Sequence, residues 1–143
     1  MLPDKSIFDL NIDEFDSLLL IGAMDIREAI ESDDMMEFIR KFSDRSLIIG
    51  AISIAPVLLL KLGALKGKRF MAGVNREDLL EEGFTKDDMA GMVGWDDNLN
   101  DPVPEGYIIT DNIITSVSYN FVKWALGFGK MLGLDIAPSM FGM

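Results

Sequence analysis

The sequence predicts an α/β protein built on a parallel sheet with helices on both faces. Three observations carry that expectation: two short uninterrupted apolar runs, Ser17 to Ile21 and Leu47 to Ile52; the helix-forming segments between and after them; and two β-rich runs split by Asp111-Asn112. Apolar runs without polar alternation mark strands buried on both sides, which occur in parallel sheets with both faces covered.

The elements follow in order. SLLLI, ending at Gly22, reads as a strand, and Gly22-Ala23-Met24-Asp25 as the loop after it. Ser32 then supplies an N-cap for DDMMEFIRKF, with acids in the first turn, bases in the last, and Met35, Met36, Phe38, Ile39 and Phe42 on and around one stripe. Leu47 to Ile52 is a second strand. Ala55 to Leu62 is a helix whose early Pro56 costs no hydrogen bond, and Gly63 and Gly67 end it. Arg69 to Ala72 predicts a short strand, and Asn75 caps a helix through Glu82 that stops before Gly83. Residues 85 to 106 are rich in acids, Gly and Pro and read as an irregular excursion. Tyr107 to Thr110 and Ile113 to Ser116 form a hairpin, because Asp111-Asn112 tolerates the positive φ of a tight turn. From Asn120 a closing helix, ending near Gly133, places Phe121, Trp124, Ala125, Phe128, Met131 and Leu132 on its core face. The apolar tail DIAPSMFGM is expected to pack on its own chain or another.

Composition narrows the function classes. With 143 residues, 49% hydrophobic and 26% charged, the chain suits one globular domain spanning residues 1 to 143. A net charge of −11, spread as pairs such as Asp33-Asp34, Asp87-Asp88 and Asp96-Asp97, opposes binding to phosphate backbones, so no nucleic-acid partner is expected. The only compact basic stretch, Lys66 to Arg69, reads as a solvated turn. There is no cysteine and no histidine, which removes disulfides, thiolate chemistry, the commonest zinc ligands and the usual base of hydrolases. No metal and no cofactor are expected. Asp96, Asn98 and Asn100 match the start of a calcium loop, but Asp101 stands where the glycine belongs and Tyr107 where the glutamate belongs. The apolar stretch bracketed by Arg45 and Lys61 is about 15 residues, short of the roughly 20 a spanning helix needs, so no membrane span is expected. The opening MLPDKSIFDLNIDEFD has neither the basic nor the apolar region of a secretory signal, and a cytoplasmic location is expected.

The junction of the second strand with its helix is the candidate site. Ala51-Ile52-Ser53-Ile54-Ala55 has small residues two positions on either side of a serine, the pattern of a nucleophile elbow, where the strand and helix approach closely. The competing explanation is a serine that caps its own helix.

With these residues in place, three blocks resemble the ThiJ/PfpI superfamily, part of the class I glutamine amidotransferase-like group. They are DSLLLIGAMD, LIIGAISIAPVLLLKLGALKGKRF and IITDNIITSVSYNFVKWAL. Family members read D-x-L-x-x-P-G-G, then A-x-C-x-x-P with a reactive cysteine at the elbow, then D-G-N-[IL]-[IV]-T-S before the last helix. The resemblance implies a three-layer, flavodoxin-like sheet, Ser53 at the nucleophile position, and an oxyanion pocket from the N–H of Ile54 and the loop at Gly22-Ala23. Those donors are main-chain groups, so Ala23 in place of glycine need not abolish the pocket.

Serine needs an adjacent base, and the chain has no histidine to provide one. Lys61 lies about two helical turns beyond Ser53, roughly 10 Å along the axis. The family sheet also starts with a strand, a helix and a strand upstream of D-x-L-x-x-P-G-G, from which an acidic residue contacts the cysteine. The resemblance therefore implies a domain incomplete at its N-terminus, the C-terminal portion of the usual one, with a strand edge unpaired. An apolar edge invites pairing, so a homo-oligomer or a partner chain completing the sheet is expected. Three functions follow: a small-molecule-binding or regulatory domain without thiol chemistry, a Ser53-dependent hydrolase, amidase or deglycase-like enzyme, or a structural subunit of a larger assembly.

Overall fold

The computed structural model describes residues 14–22, 27–94 and 103–134. Its elements are β1 (Ser17–Leu20), α1 (Arg27–Glu31), α2 (Asp33–Asp44), β2 (Ile48–Ile52), α3 (Pro56–Lys61), β3 (Phe70–Ala72), α4 (Arg76–Glu81), β4 (Met92–Gly94), β5 (Ile108–Thr110), β6 (Ile113–Ser116), a 3-10 turn at Ser118–Asn120, and α5 (Phe121–Met131).

Among the described residues, four strands form the main sheet in the order β1-β2-β6-β5. β1 and β6 run parallel to β2, and β5 returns antiparallel beside β6 through the Asp111 turn, where φ is +53°. The doubly buried character read from the sequence has a simple origin. Along β2, Ile49 and Ala51 face a core with Ile39, Phe42 and Leu59, while Ile48 and Ile52 face Trp124 and Phe128 of α5. Alternate side chains thus enter two different cores, and burying each large one is worth roughly 1.5–3 kcal/mol. Glycine at position 50 lets α5 lie close, since a Cβ there would stand 2.8 Å from Phe128 and 3.0 Å from Trp124.

α2 begins where the sequence places it: the Ser32 hydroxyl accepts from the Met35 N–H at 3.2 Å, and Met36, Ile39 and Phe42 are buried. α3 starts with Pro56 and buries every residue from Pro56 to Leu60. Positive φ at Gly63 and Gly67 carries the chain out of it. Asn75 holds the extended cap position of α4, without a side-chain capping bond.

Three features depart from the sequence reading. The stretch after residue 85, read as irregular, contains β4, which pairs in parallel with β3 as a separate two-stranded sheet. The short helix α1 was not anticipated; five residues are too few to display a helical period. Phe121, assigned to the core face of the closing helix, is 47% exposed, because the first turn of α5 projects past the carboxyl edge of the sheet toward Ser53. Residues Ala23 to Asp25, the Asp96-Asn98-Asn100 loop and the tail after Leu134 lie outside the described residues.

β3 is fastened to the main sheet by side chains. The Thr115 hydroxyl of β6 accepts from the Met71 N–H at 2.9 Å, and the Thr110 hydroxyl of β5 donates to the Arg69 carbonyl. Thr115 is buried, so this bond replaces a ladder contact that would otherwise leave an N–H unsatisfied.

Candidate functional site

Ser53 has φ +66°, in the left-handed region that a non-glycine residue adopts only at a cost. Its backbone is clamped from two strands. The Ser53 N–H donates to the Ser116 carbonyl at the end of β6 at 3.0 Å, and the Ser53 carbonyl accepts from the Gly73 N–H just past β3 at 2.7 Å. Two such bonds, with the parallel register of Ile52 beside Ser116, hold a conformation that would otherwise relax.

A third strand closes on the serine from the opposite side. A Cβ on Gly22, just past β1, would lie 2.5 Å from the Ser53 Cβ and 3.0 Å from its Oγ. Gly22 is required there for space and not for its backbone angle. Gly73 lies beside the serine at ordinary contact distance, a Cβ there standing 3.4 Å from the Ser53 Cα. The ends of β1, β2, β3 and β6 therefore converge on one serine at the carboxyl edge of the sheet.

Ser53 thus stands with a positive φ in the sharp turn between β2 and α3, and the capping explanation for it is not met. The N-cap of α3 is Ala55, with a helical backbone and no side-chain cap bond. The Ser53 hydroxyl hydrogen-bonds to no described residue.

Ser53 opens onto a cavity of about 270 Å³ lined by Ile21, Gly22, Ile52, Ser53, Ser118 and Phe121. No ionisable side chain is among these lining residues. Ser118 and Phe121, which sequence reasoning did not place here, arrive because the turn after β6 folds back over the sheet edge. The one available signal was the closeness of Ser118 to the hairpin strand that ends beside Ser53.

Of the predicted pocket residues, Gly22 lies against Ser53. Ile54 sends its side chain to a different cavity, of about 290 Å³, whose walls include Val57, Val74, Leu79 and Phe84 with acidic residues of α4. The Ile54 N–H donates to no described residue. Ala23 lies outside the described residues. Lys61 sits at the far end of α3 and is exposed.

Both lysines of the basic stretch after α3 have an acidic neighbour: Lys66 Nζ lies 3.7 Å from Asp88 and Lys68 Nζ 2.5 Å from Asp111. Among the described residues no group of acids could hold a metal ion, and no helix is long and apolar enough to cross a membrane.

Comparison with known proteins agrees with this architecture. The model of the DJ-1/PfpI family matches residues 1–126. An uncharacterized protein of Methanocaldococcus jannaschii is 23% identical over 141 residues, covering 96% of this chain and 58% of the relative. Among solved structures, a DJ-1 superfamily protein from Agrobacterium tumefaciens superposes with a TM-score of 0.70 at 18% identity, covering 98% of this chain and 68% of its own. DJ-1beta of Drosophila melanogaster does so with a TM-score of 0.62 at 22% identity, covering 95% and 73%. A two-domain protein from Anabaena variabilis with DJ-1/ThiJ/PfpI-like and ferritin-like domains gives 0.67 at 17%, covering 90% and 33%. The chain spans about 58% of the length of the curated relative it matches.

Proposed function

Because this chain belongs to the DJ-1/PfpI family, we propose that it uses the elbow as a small-molecule-binding or regulatory pocket, without covalent chemistry at Ser53. The observation that carries this reading is the surroundings of the serine. Gly22 presses on it from the end of β1, and Ile21, Ile52, Ser118 and Phe121 are the other described residues that line the cavity. A serine hydroxyl attacks only when a base takes its proton, and none of these residues is a base.

The fold nevertheless spends strain to hold Ser53 at the cavity floor, roughly 1–3 kcal/mol for a non-glycine residue at positive φ. Retaining that strain without a base among the described lining residues fits a site kept for its shape. The test is binding of a small-fragment library followed on backbone amides. Saturable shifts at Ile21, Gly22, Ser53 and Ser118 are expected, and Ser118→Trp, which fills the cavity from an exposed position, removes them. Shifts confined to other surfaces would contradict the reading.

A Ser53-dependent hydrolase or amidase is the second reading, favoured by one observation: the Ile54 N–H beside the serine is left without an acceptor among the described residues, as an oxyanion donor would be. Its base would have to come from outside the described lining residues, as from another chain or from the substrate.

The same proposal takes the protein as an oligomer. β1 is the edge strand of the sheet among the described residues, and Phe15, Leu19 and Ile21 are exposed along it. Apolar edges of this kind pair with another chain. Mass measurement in solution tests this, and a stable monomer would contradict it.

A further inference from the structure

We infer that the cavity between α3 and α4 binds a small hydrophobic amine, its apolar part on the cavity floor and its ammonium held at the mouth by Asp78 and Glu81. The inference goes beyond the elbow pocket and does not depend on it, since the two cavities share no described lining residue.

The floor is apolar and firmly backed. The cavity measures about 290 Å³, and Ile30 of α1, Ile54, Val57 of α3, Val74, Leu79 of α4 and Phe84 line it. Val57 and Leu79 are buried, whereas Ile30, Ile54, Val74 and Phe84 are half-buried and pack on the main core. Surfaces that rest on a packed core are ordered in advance. A ring or short alkyl chain laid on them therefore leaves water at little cost in ordering the protein. The volume is at the small end for ligand sites and takes one ring with a short chain.

Charge decides which head group that ligand carries. Asp78, Glu81 and Glu82 line the same cavity and are exposed, so their carboxylates stand at its mouth. Glu81 and Glu82 follow Asp78 by three and four positions, a spacing at which like charges on a helix face each other and repel. They also close α4 at its carboxyl end, where the helix dipole disfavours acids, and no base stands in its last turn. A bound cation relieves both conflicts. Arg27 is the one basic side chain among the described lining residues, a single positive charge against three negative ones. The segments outside the described residues lean the same way in composition: they hold eight acids and one basic side chain, Lys5, and residues 23–26 beside Arg27 bring Asp25 and no base. Glu82 also lines the next cavity, together with Lys61 and Lys66. The ammonium is therefore assigned to Asp78 and Glu81.

The test titrates methyl-labelled protein with phenethylammonium, phenethyl alcohol, hydrocinnamate and ethylammonium, read at Ile54, Val57, Val74 and Leu79. Phenethylammonium is expected to shift these methyls saturably, at least about threefold more tightly than each of the other three, the modest margin that exposed ion pairs provide. Asp78→Asn together with Glu81→Gln changes two exposed side chains and leaves the floor intact. In that double variant the phenethylammonium affinity should fall to that of phenethyl alcohol, while methyls remote from the cavity keep their positions. Equal or tighter binding of any of the other three probes, an unchanged affinity in the double variant, or no saturable shift of these methyls by any probe would each overturn the inference. Shifts confined to the Ile21 and Ile52 methyls would overturn it too and would move the amine to the elbow cavity. The elbow reading stands or falls separately, on its own fragment screen.

Discussion

Gly22 and Ser53, 31 positions apart in sequence, are packed so closely that a single methyl on the glycine would come within 2.5 Å of the serine Cβ. This contact joins the end of β1 to the elbow after β2, and it makes the two residues energetically dependent. Gly22→Ala should destabilise the fold by about 1–3 kcal/mol through overpacking. Ser53→Gly should stabilise it by about 1 kcal/mol, because glycine adopts φ +66° without strain. In the double variant the Gly22→Ala cost should shrink, since one clashing side chain is gone. Chemical denaturation of the four proteins reads the coupling directly, and strict additivity would contradict the contact.

The hold of β3 on the main sheet yields a second prediction. Thr115→Val keeps the shape of the side chain and removes the acceptor of the Met71 N–H. Both residues are buried, so the cost should be about 1–3 kcal/mol. Hydrogen exchange should show the Met71 and Gly73 amides losing protection together, because the Gly73 N–H to Ser53 bond depends on where β3 lies. Loss at Met71 alone would uncouple β3 from the elbow.

A third prediction concerns acid. The Asp88 carboxyl is held below its ordinary value of 3.8, chiefly by the backbone N–H of Thr85 and then by the Thr85 hydroxyl, with Lys66 adding a weaker attraction. A lowered folded-state pKa means that the group's contribution to stability is complete above about pH 4 and is lost as pH falls through the lowered value. Carboxyl NMR should place the Asp88 inflection below 3.8, and Asp88→Asn should flatten that part of the acid limb of stability. An inflection at or above 3.8 would show that the Thr85 bonds do not persist in solution.

Much of this was legible from residues alone, for identifiable reasons. β2 declared itself because both its faces are buried in separate cores, which leaves no polar alternation in Ile48–Ile52. The Asp111 turn was readable because few residues tolerate its φ of +53°. β4 was hidden because it has only three residues in a Gly-rich stretch, and its place depends on a distant contact: a Cβ on Gly91 would stand 2.0 Å from the Lys68 carbonyl. Phe121 was misplaced because its spacing from Trp124 and Phe128 is that of one helical stripe. Period describes a face, but not how far that face extends beyond the sheet. The serine was visible as a pattern, whereas Gly73, Ser118 and Phe121 reach it only through the fold.

The central claim, that Ser53 sits in a pocket and is not an activated nucleophile, is tested most directly by intact mass after exposure of the folded protein to a fluorophosphonate, alongside Ser53→Ala. With no base among the described residues that line the cavity, both proteins should keep their unmodified mass under conditions that label serine hydrolases completely. A stoichiometric adduct on the native protein, absent from Ser53→Ala, would contradict the account and make the elbow a catalytic one.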